Sequence, residues 1–361
     1  MKTSTEKQWP IVRFRQDLLA WYDAAGRTLP WRIRPEDRQS GIVAEPYKVW
    51  LSEIMCQQTT VVSAAPYWRK FLEKWPTIQH LAEAQRDDIL AAWAGLGYYA
   101  RARNLHKCAN TVIAEYGGCF PNSETKLLKL PGIGPYTAAA IASICFDQPA
   151  TVVDGNVERV ISRVYQIDEP LPKSKSVLRK SALELTDPDR PGDYAQAIMD
   201  LGATICKPKN PKCDECPWSF GCLAYQAGQA AEYPKKLPKK QRPTRYGAVF
   251  YLEDDEQILL RQRPDKGLLG GMMELPGTDW THELPPVDHW MSQAPITRNW
   301  QALDDNVVHV FTHFTLQLQV FSSIGPYQSD GVRADLSDLE KFALPTVMMK
   351  AIKSARSTPA E

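Results

Sequence analysis

The chain has 361 residues, 43% of them hydrophobic and 24% charged, with a net charge of +1. That length exceeds one typical core, so two or three domains of ordinary globular composition are expected. No apolar run approaches the roughly 20 residues needed to span a bilayer, and Met1-Lys2-Thr3-Ser4-Thr5 has no apolar signal core behind it; this argues against a membrane or secreted protein and predicts a cytoplasmic one.

The near-neutral total hides a division. Residues 1–245 hold 34 Lys and Arg against 26 Asp and Glu, a net +8, and the remainder 9 against 16, a net −7. The basic part suits a polyanion, although such a split also serves simple solvation. Of the eight cysteines, four fall within a 17-residue window, while Cys56, Cys108, Cys119 and Cys145 are scattered; this reads as a reduced compartment with one metal site.

In chain order, Ile11 to Tyr22 has an amphipathic helical pattern closed by the turn Leu29-Pro30-Trp31-Arg32. Pro46 to Thr60 predicts a second helix with Tyr47, Trp50, Leu51, Ile54 and Met55 on its apolar stripe. Periodicity alone favours Glu53 on the solvated side; beside that stripe, a desolvated carboxyl would instead approach the range of a general acid. Gln57 and Gln58, near the helix end, suit either bases or water. Trp93 to Tyr99 is a Gly-rich turn opening a helix, followed by Arg101, Arg103 and Lys107, a combination that fits stacking on nucleic acid and neutralising it.

The organising stretch is Asn122 to Val164. Asn122 reads as an N-cap for a helix of about two turns ended by Pro131. The turn Leu130-Pro131-Gly132-Ile133-Gly134 follows, with Gly132 and Gly134 permitting unusual backbone angles, and Pro135 opens an alanine-rich helix from Tyr136 to Cys145. Outward N–H groups at such a hairpin bind phosphate, which makes it a helix-hairpin-helix grip on DNA. Asp154 then caps a third helix carrying Val157, Val160, Ile161 and Val164. A capping carboxylate held by N–H groups stays ionised, whereas Glu53 in apolar surroundings would not. Opposed shifts of this kind make an acid and base pair, which glycosidic cleavage requires.

Cys206-x6-Cys213-x2-Cys216-x5-Cys222 is the strongest local signal. Four thiolates in a Pro-rich loop hold iron-sulfur or zinc, and a single short arm favours the cubane. Such a cluster would stiffen a loop bearing Lys207, Lys209 and Lys212 for phosphate contact. Residues 230–245, rich in Lys and Pro, read as a linker. Beyond it the period becomes two: Tyr246 to Leu252 and Gln257 to Arg261 form a hairpin across Asp254-Asp255, Phe314 to Phe321 alternates, and a helix from Pro345 to Ala355 closes the domain.

Together these stretches resemble the MutY family of adenine DNA glycosylases over nearly the whole chain. The resemblance rests on Trp50 to Met55 with Gln57-Gln58-Thr59, Gly95 to Tyr99, Leu130 to Thr137, Val153 to Val157, the four-cysteine loop, and Phe311-Thr312-His313. It implies a multidomain fold: an all-α helix-hairpin-helix glycosylase domain over 1–229 and, after the 230–245 linker, an α+β Nudix-like domain over 246–361. Within the first, about 38–147 would form a six-helix barrel, and the N-terminal segment with about 148–229 an iron-sulfur domain.

The implied activity is removal of adenine opposite 8-oxoguanine or guanine in double-stranded DNA, by a monomer acting in the bacterial nucleoid. Glu53 would protonate adenine at N7 and later handle the water, Asp154 would stabilise the sugar cation, and Tyr136 and Asn156 would support them. Gln196 would border the adenine pocket. Gln57, Gln58 and Tyr98 would wedge into the duplex, with Thr59, Leu130, Gly132 and Gly134 also at the DNA. Phe311, Thr312 and His313 would recognise the lesion; Thr312 stands where a serine is more familiar, and Cys56 where a leucine is common. Cys206, Cys213, Cys216 and Cys222 would hold a 4Fe-4S cluster.

Tyr136 stands where the related endonuclease III branch has an attacking lysine, and a phenol cannot form a Schiff base, so a monofunctional enzyme is expected. Met272-Met273-Glu274-Leu275-Pro276-Gly277 approaches a Nudix box but lacks the acidic run that binds magnesium, which argues against nucleotide hydrolysis. The rival readings are an endonuclease III relative with an appended domain and a non-catalytic DNA clamp.

Overall fold

The computed structural model describes residues 10–238 and 241–357. The stretch Met1 to Thr5 and the linker residues Lys239 and Lys240 lie outside the described residues. Contacts divide the chain into two units, residues 1–79 with 108–238, and residues 80–107 with 239–361.

The helices are α1 (Ile11–Ala25), α2 (Pro35–Gln39), α3 (Pro46–Cys56), α4 (Val61–Lys74), α5 (Ile78–Glu83), α6 (Arg86–Ala92), α7 (Ala100–Tyr116), α8 (Glu124–Leu127), α9 (Pro135–Phe146), α10 (Gly155–Val164), α11 (Lys175–Leu185), α12 (Pro191–Asp200) and α13 (Leu223–Gln226). The first unit is built around α9, which packs against α3, α8 and α12. Every residue from Thr137 to Ile144 is buried, and the run of alanines lets neighbours approach closely. Closest is Gly192 on α12, where a Cβ would lie 2.7 Å from the Ser143 carbonyl oxygen.

The hairpin before α9 is tighter than the sequence suggested. Ser123, not Asn122, occupies the N-cap position and makes no side-chain capping bond, and α8 is a single turn of four residues. Gly132 takes the left-handed region at φ +77°. Gly134 is extended at φ −94° and ψ 177°, so its value there is an empty space beside Pro135 rather than an unusual dihedral. Likewise α3 ends at Cys56, short of Thr60, because Gln57 turns extended and Gln58 left-handed at φ +55°.

Past α12 the helix widens into a π-helical turn, Leu201–Ile205, which delivers the chain to the cysteine loop. That loop is braced on α1: Trp218 Nε1 donates to the Phe14 carbonyl at 2.8 Å, and the Phe14 ring lies 4.8 Å from Phe220. The segment after the loop stays attached. Tyr233 and Lys235 both donate to Asp168, at 2.7 and 2.6 Å, and the Leu171 N–H donates to the Lys235 carbonyl.

The second unit holds a seven-stranded sheet. Its strands are β1 (Thr244–Asp254), β2 (Gln257–Gln262), β3 (Met273–Glu274), β4 (Gln301–Ala302), β5 (Val307–Val310), β6 (Thr315–Ile324) and β7 (Val332–Asp335). The β1–β2 hairpin forms, but its turn falls on Asp255 and Glu256, one residue beyond the expected Asp254-Asp255, because Asp254 pairs with Gln257; both turn residues are left-handed at φ +50° and +57°, the conformation that matches the twist of a two-residue hairpin. The alternation in β6 is as read, with Leu316, Leu318 and Val320 fully buried. Periodicity could not reveal that β6 pairs parallel with β1, Thr244 opposite Thr315 through Glu253 opposite Ile324. The core on one side gathers Phe250, Leu252, Trp290, Trp300, Phe321 and Tyr327. Two more helices belong to this unit, α14 (Val287–Met291) and α15 (Thr346–Ser357), the latter packed on β1, β5 and β6.

In the same unit the Gly-rich turn braces itself. Gly95, Gly97 and Tyr98 are left-handed, and Arg101 Nη2 donates to the carbonyls of Leu96 and Gly97 at 3.1 and 3.0 Å. Arg103 donates to the Gly270 carbonyl at 2.7 Å. Two of the three cations read as phosphate contacts thus serve the fold.

The α9–α12 crossing generates a prediction. Gly192→Ala should destabilise the protein by about 1–3 kcal/mol, because the new methyl meets backbone that cannot step aside. A thermal midpoint equal to wild type would show that the two helices have room to part.

Candidate active site and cysteine loop

A cavity of about 900 Å³ opens in the first unit, lined by Glu53 from α3, Tyr136 from α9, Asp154 and Asn156 at the start of α10, and Gln196 and Met199 from α12. The segment between α1 and α2 adds Arg27, Trp31 and Arg32. Five separate stretches of sequence thus converge on one space of a size that admits a nucleotide.

Glu53 is buried, with 8% of its surface exposed, which settles the question that periodicity left open. Its Oε2 accepts a hydrogen bond from the Tyr136 hydroxyl at 2.6 Å, and Tyr136 also contacts the Met199 sulfur at 3.2 Å. Burial pushes the carboxyl above its usual range and the nearby Asp154 charge adds to this; the Tyr136 hydrogen bond and the Arg32 charge pull it back. A carboxyl whose burial favours the protonated form is suited to donate a proton.

Asp154 caps α10 as expected. Its Oδ1 accepts from the N–H groups of Asn156 and Val157 at 2.9 and 2.7 Å, and its Oδ2 from Asn156 Nδ2 at 2.9 Å. The expected opposition of the two carboxylates does not appear as opposed shifts: burial raises Asp154 as well, and its hydrogen bonds only moderate the rise. What separates the two is their partners. Three N–H donors stabilise the anion of Asp154, against a single hydroxyl on Glu53.

Asn156 is held in turn. Arg159 Nη2 donates to Asn156 Oδ1 at 2.9 Å and to the Gly202 carbonyl at 2.7 Å, while its Nε donates to the Cys206 carbonyl at 2.8 Å. Gln196 is buried, its amide donating to the Gly192 carbonyl at 3.3 Å, with the side chain still at the cavity wall. Gln57 donates to Thr137 Oγ1 at 3.2 Å, Gln58 is exposed, and Thr59 Oγ1 donates to the Gln57 carbonyl; all three line the cavity rim. Gly132 and Gly134 also border it. The Leu130 side chain is buried beneath the hairpin.

Arg27, and Trp31 and Arg32 of the turn that closes α1, carry no site signal in the sequence beyond two arginines close together. Both guanidiniums bind Asp200, which is completely buried.

Cys206, Cys213, Cys216 and Cys222 line one small cavity with Arg163. Arg163 Nη1 lies 3.2 Å from Cys206 Sγ and donates to the Lys207 carbonyl at 2.8 Å, so a cation already faces the sulfurs, as an anionic thiolate cluster requires. Four cysteine sulfurs around one cavity are the donor set that a 4Fe-4S cluster takes. Lys207 and Lys209 are exposed on this loop, while Lys212 pairs with Glu215 at 3.0 Å.

The second unit holds Tyr98 and Phe311-Thr312-His313 together. Tyr98 and Thr312 hydroxyls are 3.0 Å apart, Phe311 stacks on Phe314 at 4.8 Å and tilts against Trp280 at 5.6 Å, and His313 is exposed. His309, on β5, meets the Phe311 ring edge-on, and burial holds it below the ordinary histidine value. Glu274, in the stretch approaching a Nudix box, pairs with both Arg261 and Arg263.

Comparison with known proteins places this geometry. Residues 51–188 match the HhH-GPD superfamily of base excision DNA repair proteins, residues 206–222 the iron-sulfur binding domain of endonuclease III, and residues 248–354 the Nudix domain. Helical cavity, hairpin and cysteine loop are those of a DNA glycosylase, a hydrolase with a 4Fe-4S cluster. The chain is 38% identical to the adenine DNA glycosylase of Rattus norvegicus over 367 residues, covering 86% of this chain and 70% of that protein. It is 34% identical to that of Buchnera aphidicola subsp. Schizaphis graminum over 354 residues, covering 95% and 99%. The chain belongs to the adenine DNA glycosylase family. Among solved structures, a thermostable thymine-DNA glycosylase is 29% identical with a TM-score of 0.54, over 60% of this chain and 97% of that one. A non-covalent endonuclease III–DNA complex, 22% identical with a TM-score of 0.50 over 60% and 96%, shares the fold.

The raised Glu53 carboxyl has a stability signature. Its folded state favours the protonated form, so its burial is harmless below the unfolded carboxyl pKa and becomes destabilising as pH rises through the raised folded value. Glu53→Gln carries no charge at any pH. It should be more stable than wild type at pH 8, with the gain shrinking towards pH 5. Denaturant midpoints across that range check this, and a gain that grows on acidification would contradict the burial argument.

Proposed function

We propose that this chain excises adenine opposite 8-oxoguanine or guanine in duplex DNA, and that it does so without strand cleavage. The observation that carries the reading is the pair of carboxyls on one cavity, buried Glu53 held by a single hydroxyl and half-buried Asp154 held by three N–H donors.

An adenosine flipped into the cavity presents its base to Glu53 and its sugar to Asp154. Glu53 donates its proton to adenine N7, and the electron pair of the C1′–N9 bond leaves with the base. Positive charge then develops on the sugar, and the Asp154 anion faces it. Water adds at C1′, its proton returning to the Glu53 carboxylate, and an abasic site remains. Tyr136 fixes the Glu53 carboxyl, and Asn156 fixes Asp154. Gln196, buried at the wall, borders the base. The four cysteines would hold the 4Fe-4S cluster, which takes no part in bond cleavage and fixes the loop that carries Lys207 and Lys209.

Gln57, Gln58, Thr59 and the backbone at Leu130, Gly132 and Gly134 meet the duplex from the cavity rim, and Tyr98 with Phe311, Thr312 and His313 reads the opposite base. Flipping costs a few kcal/mol, which wedge contacts offset. In the chain's own terms, residues 246–361 read the lesion and residues 1–229 cut.

Single-turnover release of adenine from a duplex with adenine opposite 8-oxoguanine tests the reading, compared with thymine opposite 8-oxoguanine and thymine glycol opposite adenine. Release from the first duplex only is expected, with Glu53→Gln slowing it at least a hundredfold while duplex affinity is kept. Excision of thymine glycol instead would move the chain to an endonuclease III activity. Borohydride should trap no protein in a product that carries a cleaved strand, because Tyr136 offers no amine; rapid cleavage with trapping would refute the monofunctional assignment.

A further inference from the structure

Arg27 and Arg32 are the two guanidiniums in the cavity wall, and both are tied to one side chain. Asp200, at the end of α12, has no exposed surface. Its Oδ2 accepts from the Arg27 N–H and from Arg32 Nη1, each at 2.7 Å, and its Oδ1 from Arg27 Nε at 2.7 Å and from Nη2 at the same distance. One carboxylate thereby takes up the hydrogen-bonding capacity of an entire turn. This arrangement extends the excision reading above and rests on it.

We propose that Asp200 is a positioning residue for glycosidic cleavage: by holding Arg27 and Arg32 it denies Glu53 a guanidinium partner. Arg32 is almost wholly buried, its side chain 6% exposed, and its charge is already felt at Glu53. A buried guanidinium does not stay unpaired. Released from Asp200, it turns to the other carboxyl of the cavity, and an ion pair there strips Glu53 of the proton it must deliver.

The groups around both carboxyls fit this account. Glu53 faces Tyr136 and Cys145 from α9, Asp154 from the start of α10, and Arg32 from the turn before α2, whose positive charge favours the Glu53 anion. At Asp200 the neighbours are Arg27 and Arg32, with the Tyr22 phenol of α1, itself beside Asp193 and Arg34. Burial raises Asp200, but the two arginines outweigh it and hold the carboxyl below its usual value, so it remains an anion across the working range.

The test is the pH profile of single-turnover adenine release. In Asp200→Asn the alkaline limb should move to lower pH, with release at pH 7.5 reduced tenfold or more and largely recovered at pH 5.5. Arg32→Gln should move the limb the other way, to higher pH, and the double variant should not show the downward shift. Visible absorbance of the cluster and duplex affinity report folding. If Asp200→Asn does not fold, Arg32→Gln decides alone: an upward limb supports the role, and an unmoved limb overturns it. Limbs unmoved in both variants, with rate lost at every pH equally, would make Asp200 merely structural. Wild-type protein that releases no adenine overturns the excision reading itself, whereas wild-type release with unmoved limbs overturns only this inference.

Discussion

Charge taken out of water governs the first unit. Glu53 and Asp154 share a cavity with two arginines, and each of the four must be satisfied by something other than solvent. The molecule meets that demand unequally. Asp154 draws its donors from the backbone of the helix it caps, so its position is set by the start of α10 and is as rigid as the helix. Glu53 gets one phenol, delivered by α9, and remains the least stabilised of the set as an anion. Alanine-rich packing of α9 lets α3 and α12 close on either side, and the cavity exists because those three helices meet there.

Asp154 also stands at one end of a connection that runs through the core of the unit. Asn156 accepts from Arg159, which donates to the Gly202 and Cys206 carbonyls, and Arg163 one turn further along α10 faces the Cys206 sulfur. The π-helical turn at Leu201–Ile205 brings Gly202 so near α10 that a Cβ there would lie 2.6 Å from Asn156 Cβ. Asp154 caps the start of α10, and Arg159 and Arg163 further along the same helix contact the start of the cysteine loop.

What could be read from the sequence was whatever short-range chemistry writes down. Asp154-Gly155-Asn156 announces a cap, the cysteine spacing announces a cluster, and alternation from Leu316 to Val320 announces a strand. Features set by distant partners were harder. The burial of Glu53 depends on α9 and the 26–32 segment folding over α3, which no periodicity contains. Asp200 looked like the last residue of an ordinary helix, because its two partners lie some 170 positions away. The N-cap of α8 fell one residue from its expected place, a slip that local pattern does not resolve when two polar residues stand side by side. Resemblance to a family singled out Glu53 and Asp154; the fold shows that their hydrogen-bond partners differ, one hydroxyl against three N–H donors.

The parallel pairing of β1 with β6 carries a consequence for synthesis. β1 is complete by Asp254, but its long neighbour is not made until Ile324. In between, β1 pairs on one flank with β2 and with residues 276–281, and its other flank stays open. On a ribosome the buried face of Phe250 and Leu252 must therefore wait for about seventy further residues before the sheet can close. A chain stopped anywhere in that interval presents an open, apolar edge to its neighbours. A nonsense change between Asp254 and Ile324 would then leave β1 with that open edge.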